Sequence, residues 1–261
     1  TSATVVGQNV TVLANTSFII GVPSNFNGTV NITVDGEKYS GPIESIITMA
    51  KLPVGDKVAE VVFWGDKNYN DFTLFAPFRV SILSTIVSVN VGEVTYPGAA
   101  TANITVSGMA NGTVVVTVDG KQYDAVEVIN GHATVELGKL SAGIKNITAN
   151  FTVTDPDNSN ATSDSKFAVN KAATEVAIMT EDDDVVVNVT AGATGKLTVY
   201  VNGIKNEYEF TGDAIVLKNV LIVGNNTIVA IFDGNENYTG SQNTTNVIKG
   251  KKSALVNVSA E

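Results

Sequence analysis

Asn27-Gly-Thr-Val-Asn-Ile-Thr-Val-Asp-Gly-Glu-Lys-Tyr39 recurs almost unchanged as Asn111-Gly-Thr-Val-Val-Val-Thr-Val-Asp-Gly-Lys-Gln-Tyr123. A weaker copy runs from Thr194 to Tyr208. The leading glycines of the three copies are 84 and then 83 residues apart. A repeat of this length predicts a chain built from similar structural units placed one after another.

A second repeated landmark supports the same period. The pattern Leu-x-x-Gly, with Phe eight residues after the Gly, begins at Leu52, Leu140 and Leu221. Similar opening segments occur at Thr85–Val89, Thr174–Ile178 and Ser253–Val258. These landmarks predict units at residues 1–82, 83–170 and 171–250, with the start of a fourth repeat at 251–261.

The alternation of apolar and polar residues decides between helix and strand. Val114, Val116 and Val118 are separated by single residues, which is the two-residue period of a half-buried strand. The following Asp119-Gly120 is a hairpin turn, because Gly accepts a positive φ without steric cost. Short strands with turns roughly every 8–12 residues are typical of a sandwich. The predicted fold is therefore all-β, with three tandem immunoglobulin-like β-sandwich domains. Because the linkers between them are short and lack Gly/Ser tracts, the domains are expected to form an elongated rod.

The composition excludes several functional classes. The net charge of −10 argues against nucleic-acid binding, which requires a basic face. The chain has no Cys, and His132, just after the Asn130-Gly131 turn, is its single His. Neither a common zinc site nor a nucleophile–base pair can be built from these residues. No run of 18 apolar residues is present, so we predict no membrane insertion. We also predict no enzymatic activity, no cofactor, no metal and a monomeric fragment.

Three loops carry oxygen-bearing side chains at alternate positions, as calcium-binding loops do. They are Asp66-x-Asn68-x-Asn70, Asp155-x-Asp157-x-Ser159 and Asp233-x-Asn235-x-Asn237. The Gly and the distant Glu of the full EF-hand pattern are missing from all three. We therefore interpret the loops as turns, with weak calcium binding as the alternative.

Trp64 and Tyr69 are the candidate partner-binding residues. Trp64 is the single Trp of the chain and follows Phe63, so it faces outward if Phe63 faces the core. The aligned residues in the other copies are Thr152 and Asp233. An exposed Trp with a nearby Tyr can stack on a sugar ring or anchor a protein partner. The alternative is packing against the chain's own loop or the neighbouring unit.

Glycosylation acceptors of the form Asn-x-Ser/Thr are frequent, in keeping with the 27 Asn and 29 Thr of the chain. The candidate sites at predicted surface positions are Asn27, Asn111, Asn160, Asn225, Asn237 and Asn243. The others are Asn9, Asn15, Asn31, Asn103, Asn146, Asn150, Asn188 and Asn257. A sequence rich in Asn and Thr also produces such triplets by chance, so the number alone does not establish their use.

The motifs resemble the adhesin-like surface proteins of methanogenic archaea, which carry bacterial-type immunoglobulin-like repeats. The stretches that carry the likeness are Thr85-x-Val-x-Val89, Tyr96-Pro-Gly98, Gly112–Gly120 with Tyr123, Asn130–Leu137, Leu140-x-x-Gly143 and the Gly65–Tyr69 loop. The third unit lacks the Tyr-Pro-Gly. These motifs are structural and identify the module rather than a ligand.

The resemblance implies an extracellular, cell-surface glycoprotein. Its expected role is to mediate or support attachment to partner microbes or surfaces, with a protein or a glycan of the partner cell surface as the partner. The alternative is a purely structural stalk that projects a binding domain located elsewhere in the full-length protein.

Overall fold

A computed structural model describes residues 2–251, and the predicted start of a fourth repeat lies almost entirely outside them. The described residues are all-β: they form 24 strands and one short 3-10 helix, Ser107–Met109. This confirms the all-β class. No helix among them is long and apolar enough to cross a membrane. The strands fall into three successive groups, each with two sheets and its own buried cluster.

Group one contains the first eight strands of the chain. They are β1 (Thr4–Gly7), β2 (Val10–Thr11), β3 (Ser17–Gly21), β4 (Thr29–Val34), β5 (Glu37–Pro42), β6 (Ile46–Thr48), β7 (Gly55–Trp64) and β8 (Phe72–Ser81). One sheet has the order β1-β3-β6 and the other has the order β2-β8-β7-β4-β5. All neighbours are antiparallel except β2 and β8.

Group two contains nine strands. They are β9 (Val87–Val91), β10 (Val94–Thr95), β11 (Ala99–Val106), β12 (Gly112–Val118), β13 (Lys121–Gln122), β14 (Val126–Val128), β15 (His132–Lys139), β16 (Gly143–Val153) and β17 (Ala161–Asn170). One sheet is β15-β11-β9. The other runs β10-β17-β16-β12, and both β13 and β14 pair with β12.

Group three contains seven strands. They are β18 (Val176–Glu181), β19 (Asp184–Val189), β20 (Gly195–Val201), β21 (Ile204–Phe210), β22 (Ile215–Leu217), β23 (Gly224–Phe232) and β24 (Ser241–Lys249). Its sheets have the orders β18-β19-β22 and β21-β20-β23-β24.

The repeated phenylalanine occupies the centre of each buried cluster. Phe63, Phe151 and Phe232 are each no more than 2% exposed. They lie on β7, β16 and β23, the strands that follow each Leu-x-x-Gly. Inward residues alternate with outward ones along these strands, as the sequence predicted. The landmark therefore recurs because each group needs a large apolar side chain at this position of its core.

The glycine near the start of the repeated segment is required by the close approach of neighbouring backbone. A Cβ at Gly112 would lie 2.2 Å from the carbonyl oxygen of Thr152 and 2.7 Å from the ring of Phe151. A Cβ at Gly28 would lie 2.0 Å from the carbonyl oxygen of Trp64. A side chain does not fit at either position, because the neighbouring backbone already occupies that space.

A polar contact links two turns of each group at its chain-exit end, the end at which its last strand finishes. A residue two positions after the Leu-x-x-Gly glycine bonds to the first residue of the Asp-Gly or Asn-Gly turn. The pairs are Lys57 with Asp35, Lys145 with Asp119, and Asn226 with Asn202. A lysine makes the link in groups one and two, and an asparagine makes it in group three.

Group three differs from the others in its first connection. Groups one and two place a short strand, β2 or β10, in parallel against the end of the last strand, where Val80 and Val169 are buried. In group three a tight turn joins β18 directly to β19. The position that matches these valines is Lys249, which forms an ion pair with Asp183. Lys249 Nζ also donates to the carbonyl oxygen of Leu221 at 3.3 Å. The missing Tyr-Pro-Gly thus reflects a missing strand.

Charged side chains occupy the edge strand β21. Glu207 Oε1 accepts from Lys196 Nζ at 2.7 Å and from Lys205 Nζ at 2.8 Å. These two hydrogen bonds lower the pKa of Glu207 to about 2. Charges on an edge strand discourage pairing with another chain.

We expect the carboxyl carbon of Glu207 to titrate with a midpoint near pH 2 in the folded protein. A depressed pKa contributes stability above the unfolded value of about 4.3, and this contribution is lost as the pH falls towards the folded value. The measurement is an NMR titration of the glutamate side chains. Replacing Lys196 and Lys205 by Met should return the midpoint to about 4.3, and an unchanged midpoint would show that these lysines are not the cause.

Candidate functional site

The outer face of β7 and β8 carries a group of exposed apolar side chains. Trp64 is 47% exposed, Val58 is 59% exposed and Phe75 is 64% exposed. Pro77 is exposed, and Val62 is half-buried. We call these five residues the Trp64 face. Trp64 points outward because Phe63, its neighbour on β7, points into the core, which confirms the sequence-based expectation.

The strand register places the residues of the Trp64 face on one side of β7 and β8, around Glu60 and Thr73. In the antiparallel pair of β7 and β8, Val58 lies opposite Pro77, and Phe75 lies opposite Glu60. Side chains at directly opposite positions share one face of a sheet. Val62 and Trp64 continue the same row of β7, since alternate residues of a strand point to the same side. The face therefore extends along two neighbouring strands.

The matching positions of group two are polar. Strand pairing aligns β16 with β7 and β17 with β8, because Phe151 lies opposite Ala161 as Phe63 lies opposite Phe72. The residues that replace the Trp64 face are Asn146, Asn150, Thr152, Asp164 and Lys166. In group three they are Thr227, Ile231, Asp233, Thr244 and Asn246. Within residues 2–251, the fully apolar version of this face belongs to group one.

A hydrogen bond holds the Trp64 indole in place. The Asn31 amide satisfies its neighbours when its Oδ1 accepts from Trp64 Nε1 at 3.0 Å and its Nδ2 donates to Ser40 Oγ at 2.6 Å. The opposite orientation would place two donors, the indole N–H and the amide N–H, against each other. The edge of the indole is therefore satisfied within the sheet, and its apolar face is left to solvent.

Tyr69, the second candidate, lies in a different environment from Trp64. Its ring packs 5.5 Å from the ring of Phe26 and against the buried cluster of group one. Its hydroxyl donates to Asn25 Oδ1 at 2.7 Å. The ring of Tyr69 thus packs inward from the loop, whereas Trp64 faces outward. The structure groups Trp64 with Phe75 and Pro77 instead.

Sequence reasoning did not group Val58, Val62, Phe75 and Pro77 with Trp64. The signal was present in the alternation of β8, where Phe78 and Val80 face the core and Phe75 and Pro77 therefore face outward. What the sequence could not supply was the register of β8 against β7, which brings the two rows together.

The oxygen-rich loops use their side chains to organise turns. Asp66 Oδ1 accepts from the backbone N–H groups of Asn68 at 2.7 Å and Tyr69 at 3.1 Å, and its Oδ2 accepts from that of Asn27 at 2.8 Å. These backbone N–H groups, led by that of Asn27, lower the pKa of Asp66. The carboxylate oxygens therefore face backbone donors. This supports the interpretation of the loop as a turn.

The loop of group three repeats this geometry with an amide. Asn235 Oδ1 accepts from the backbone N–H groups of Asn237 at 2.8 Å and Tyr238 at 2.9 Å. The structure therefore matches Asp66 with Asn235, in agreement with the register that aligns Trp64 with Asp233. In group two, Asp155 Oδ1 accepts from the backbone N–H of Asp157 at 2.9 Å. Over residues 2–251, no group of three or more His, Cys, Asp or Glu is placed to hold a metal ion.

The predicted glycosylation sites differ in the exposure and hydrogen bonding of their side-chain amides. Asn27, Asn111, Asn160 and Asn225 are exposed. Asn243 is also exposed, but its Nδ2, the atom that would carry a glycan, donates to the carbonyl oxygen of Val176 at 2.8 Å. Asn237 is half-buried, and its Oδ1 accepts from the backbone N–H of Ala142 at 2.8 Å. Asn257 lies outside the described residues. His132 is exposed, as expected for a turn histidine.

Comparison with known proteins finds similar chains among solved structures. No protein-family model and no curated protein matches the chain. Among solved structures, fibronectin(III)-like modules of Clostridium thermocellum CbhA are 15% identical, with coverage of 65% of this chain and 94% of theirs and a TM-score of 0.29. The central fibronectin-III array of RIM-binding protein is 12% identical, with coverage of 93% and 97% and a TM-score of 0.27. A tandem from titin is 11% identical, with coverage of 95% and 98% and a TM-score of 0.33. Identities and scores this low do not identify a family or a ligand.

Proposed function

We propose that this chain is a non-catalytic adhesin segment of a cell-surface glycoprotein, similar to the adhesin-like proteins of methanogenic archaea. Its three groups of strands are three immunoglobulin-like domains at residues 1–82, 83–170 and 171–250, arranged as an extracellular rod. Group one contacts the partner cell surface through the Trp64 face. Two-sheet groups that each bury their own cluster support the domain assignment.

The observation that carries this proposal is the Trp64 face. It places a Trp, a Phe, a Pro and two Val on the outer side of two paired strands. Neighbouring exposed apolar residues of this kind mark interaction sites. Tryptophan is among the residue types that contribute most to binding, and its flat face suits both an apolar protein surface and a sugar ring.

The contrast between groups supports a binding role over a purely structural one. A surface needed only for folding should keep the same character in groups one and two, because their cores and turns match. The Trp64 face does not, since polar residues replace it in group two. A pure spacer, the alternative function, provides no reason for exposing Trp64 and Phe75 in one group.

Attachment of the purified chain to partner cells and to a glycan panel tests this proposal. Because an interface tryptophan contributes about 2 kcal/mol or more, Trp64→Ala should weaken attachment about 30-fold. Phe75→Thr should also weaken it, and Phe75 is not a partner in the Asn31 hydrogen bonds. The control is Thr152→Ala, the matching position of group two, which should bind like the unmodified chain.

Attachment that is the same for Trp64→Ala, Phe75→Thr and the unmodified chain would contradict a role of the Trp64 face. No attachment by the unmodified chain to any of these surfaces would favour the spacer function. A response confined to the glycan panel would identify a sugar as the partner, and a response to protease-sensitive cell surfaces would identify a protein.

A further inference from the structure

The boundary between groups two and three contains a specific contact. Tyr96, just after β10, packs against the buried clusters of both groups. Its ring meets the ring of Tyr238 edge to face, with centroids 5.4 Å apart and planes at 78°. On group two, Lys139 Nζ lies 4.5 Å from the centre of the Tyr96 ring. Edge-to-face geometry is a favoured arrangement for two aromatic rings, and a cation over a ring face adds to it.

A hydrogen bond crosses the same boundary. The backbone N–H of Ala142, at the corner before β16, donates to Asn237 Oδ1 at 2.8 Å. The loop that carries Asn237 and Tyr238 is itself organised by Asn235. It also holds the linker, because Ala172 donates its N–H to the carbonyl oxygen of Asn237 at 2.9 Å. One loop of group three therefore contacts the linker at Ala172 and group two at both Ala142 and Tyr96.

The boundary between groups one and two has the same backbone frame without these contacts. Val12 donates its N–H to the carbonyl oxygen of Ser81 at 2.8 Å, just as Tyr96 does to that of Asn170 at 2.9 Å. Leu83 matches Ala172, and Leu83 bridges to Asn158 as Ala172 does to Tyr238. The first boundary thus has Val12 and Asn158 where the second has the two tyrosines. Among residues 2–251, no hydrogen bond, ion pair or ring contact joins residues before Leu83 to residues after it.

The first boundary keeps one apolar contact of its own. Leu83 packs partly against the buried cluster of group one, while its backbone is hydrogen-bonded to Asp157 and Ser159 of group two. A contact made by one linker residue does not resist rotation of one group about it. Movement between domains is the ordinary expectation unless an interface opposes it.

We propose that the Tyr96–Tyr238 contact locks groups two and three into one rigid unit, and that the linker at Leu83 is a hinge. Group one then swings on a rigid base formed by the other two groups. This inference concerns the mechanics of the chain and does not depend on what the Trp64 face binds. Its consequence is that the exposed apolar face of group one samples many directions while the remainder keeps a fixed shape.

Spin labels can measure both boundaries, because the chain has no Cys and each introduced Cys is unique. Exposed strand positions supply the labels: Lys38→Cys on β5, Lys166→Cys on β17 and Gln242→Cys on β24. Pulsed electron paramagnetic resonance then gives the distance distribution for the pair 38/166 across the first boundary and for the pair 166/242 across the second. We expect the first distribution to be at least twice as wide as the second. Equal widths would overturn the proposal.

Exchanging the boundary residues tests whether the two tyrosines cause the rigidity of the second boundary. The double variant Tyr96→Val with Tyr238→Asn gives the second boundary the residues of the first, and the 166/242 distribution should widen about twofold. Tyr96→Val alone leaves Tyr238 in the core of group three and should widen it in the same direction. Tyr123→Phe, at a tyrosine of group two that makes none of the boundary contacts described above, should leave it unchanged. Retained amide protection in β20 and β23 shows that group three remains folded, and an unchanged width in a folded Tyr96→Val variant would refute the role of Tyr96.

Discussion

Replacing Phe232 by Ala is expected to lower the free energy of unfolding of group three by about 3–5 kcal/mol. Phe232 is 1% exposed and packs at 6.4 Å from the ring of Phe210, with the planes at 74°. The edge of its ring also lies 3.4 Å from the place where a Cβ of Gly195 would be. Removing the ring loses its transfer free energy and leaves a cavity between the two sheets, which rigid strands cannot close.

The measurement for Phe232→Ala is denaturant unfolding followed by amide hydrogen exchange in β20 and β23, so that group three is observed separately. For a folding unit of this size, each kcal/mol corresponds to about 4–8 °C in melting temperature. The matched control is Ile231→Ala on the same strand, since Ile231 faces outward and its loss should cost about 1 kcal/mol or less. A loss below about 1.5 kcal/mol for Phe232→Ala would mean that the ring is not central to this core.

Replacing Asn226 by Ala is expected to cost group three about 2–4 kcal/mol. The Asn226 side chain is fully buried and makes four hydrogen bonds. Its Oδ1 accepts from Asn202 Nδ2 at 2.9 Å and from the N–H of Ile222 at 2.9 Å. Its Nδ2 donates to the carbonyl oxygens of Ile222 at 2.7 Å and Gly224 at 3.1 Å. Ala would leave several buried polar groups without partners, and each costs about 1–3 kcal/mol before the backbone relaxes.

The other two groups supply the rescue experiment for Asn226. They link the same two turns with a lysine and an aspartate, Lys57 with Asp35 and Lys145 with Asp119. The double variant Asn226→Lys with Asn202→Asp should therefore be more stable than Asn226→Ala. Urea unfolding of the three proteins measures both effects. If Asn226→Ala stayed within about 0.5 kcal/mol of the unmodified chain, the link between the turns would not matter for stability.

The alternation of Val and Ile with Asn and Thr specified most of the fold. A strand with a two-residue period can bury one face only, so the residues of the core could be assigned before any pairing was known. Because the copies share one register, a core position assigned in one copy is also a core position in the others, as the buried Phe63, Phe151 and Phe232 show. Group three departs from the repeat where it lacks the Tyr-Pro-Gly: a tight turn takes the place of a strand, and Lys249 takes the place of a valine.

The candidate site was only partly accessible from the sequence. Trp64 could be placed on the outer face because its neighbour Phe63 had to be inside. Tyr69 could not be placed, because a loop residue has no periodicity and its position depends on Phe26 and Asn25, which are distant in sequence. The sequence could not decide between a turn and weak calcium binding for the oxygen-rich loops for the same reason. The turn geometry of Asp66 and Asn235 depends on which backbone N–H groups lie within reach of their side chains.

By itself the sequence determined the strands, the inward and outward rows, the turns and the repeat, because these depend on neighbours along the chain. Tertiary structure alone decided which other strands and groups the inward and outward rows of side chains contact. The register of β8 against β7 joined Phe75 and Pro77 to Trp64, and the approach of group three to group two joined Tyr238 to Tyr96. Such contacts form between residues far apart in the chain, so local alternation contains no information about them.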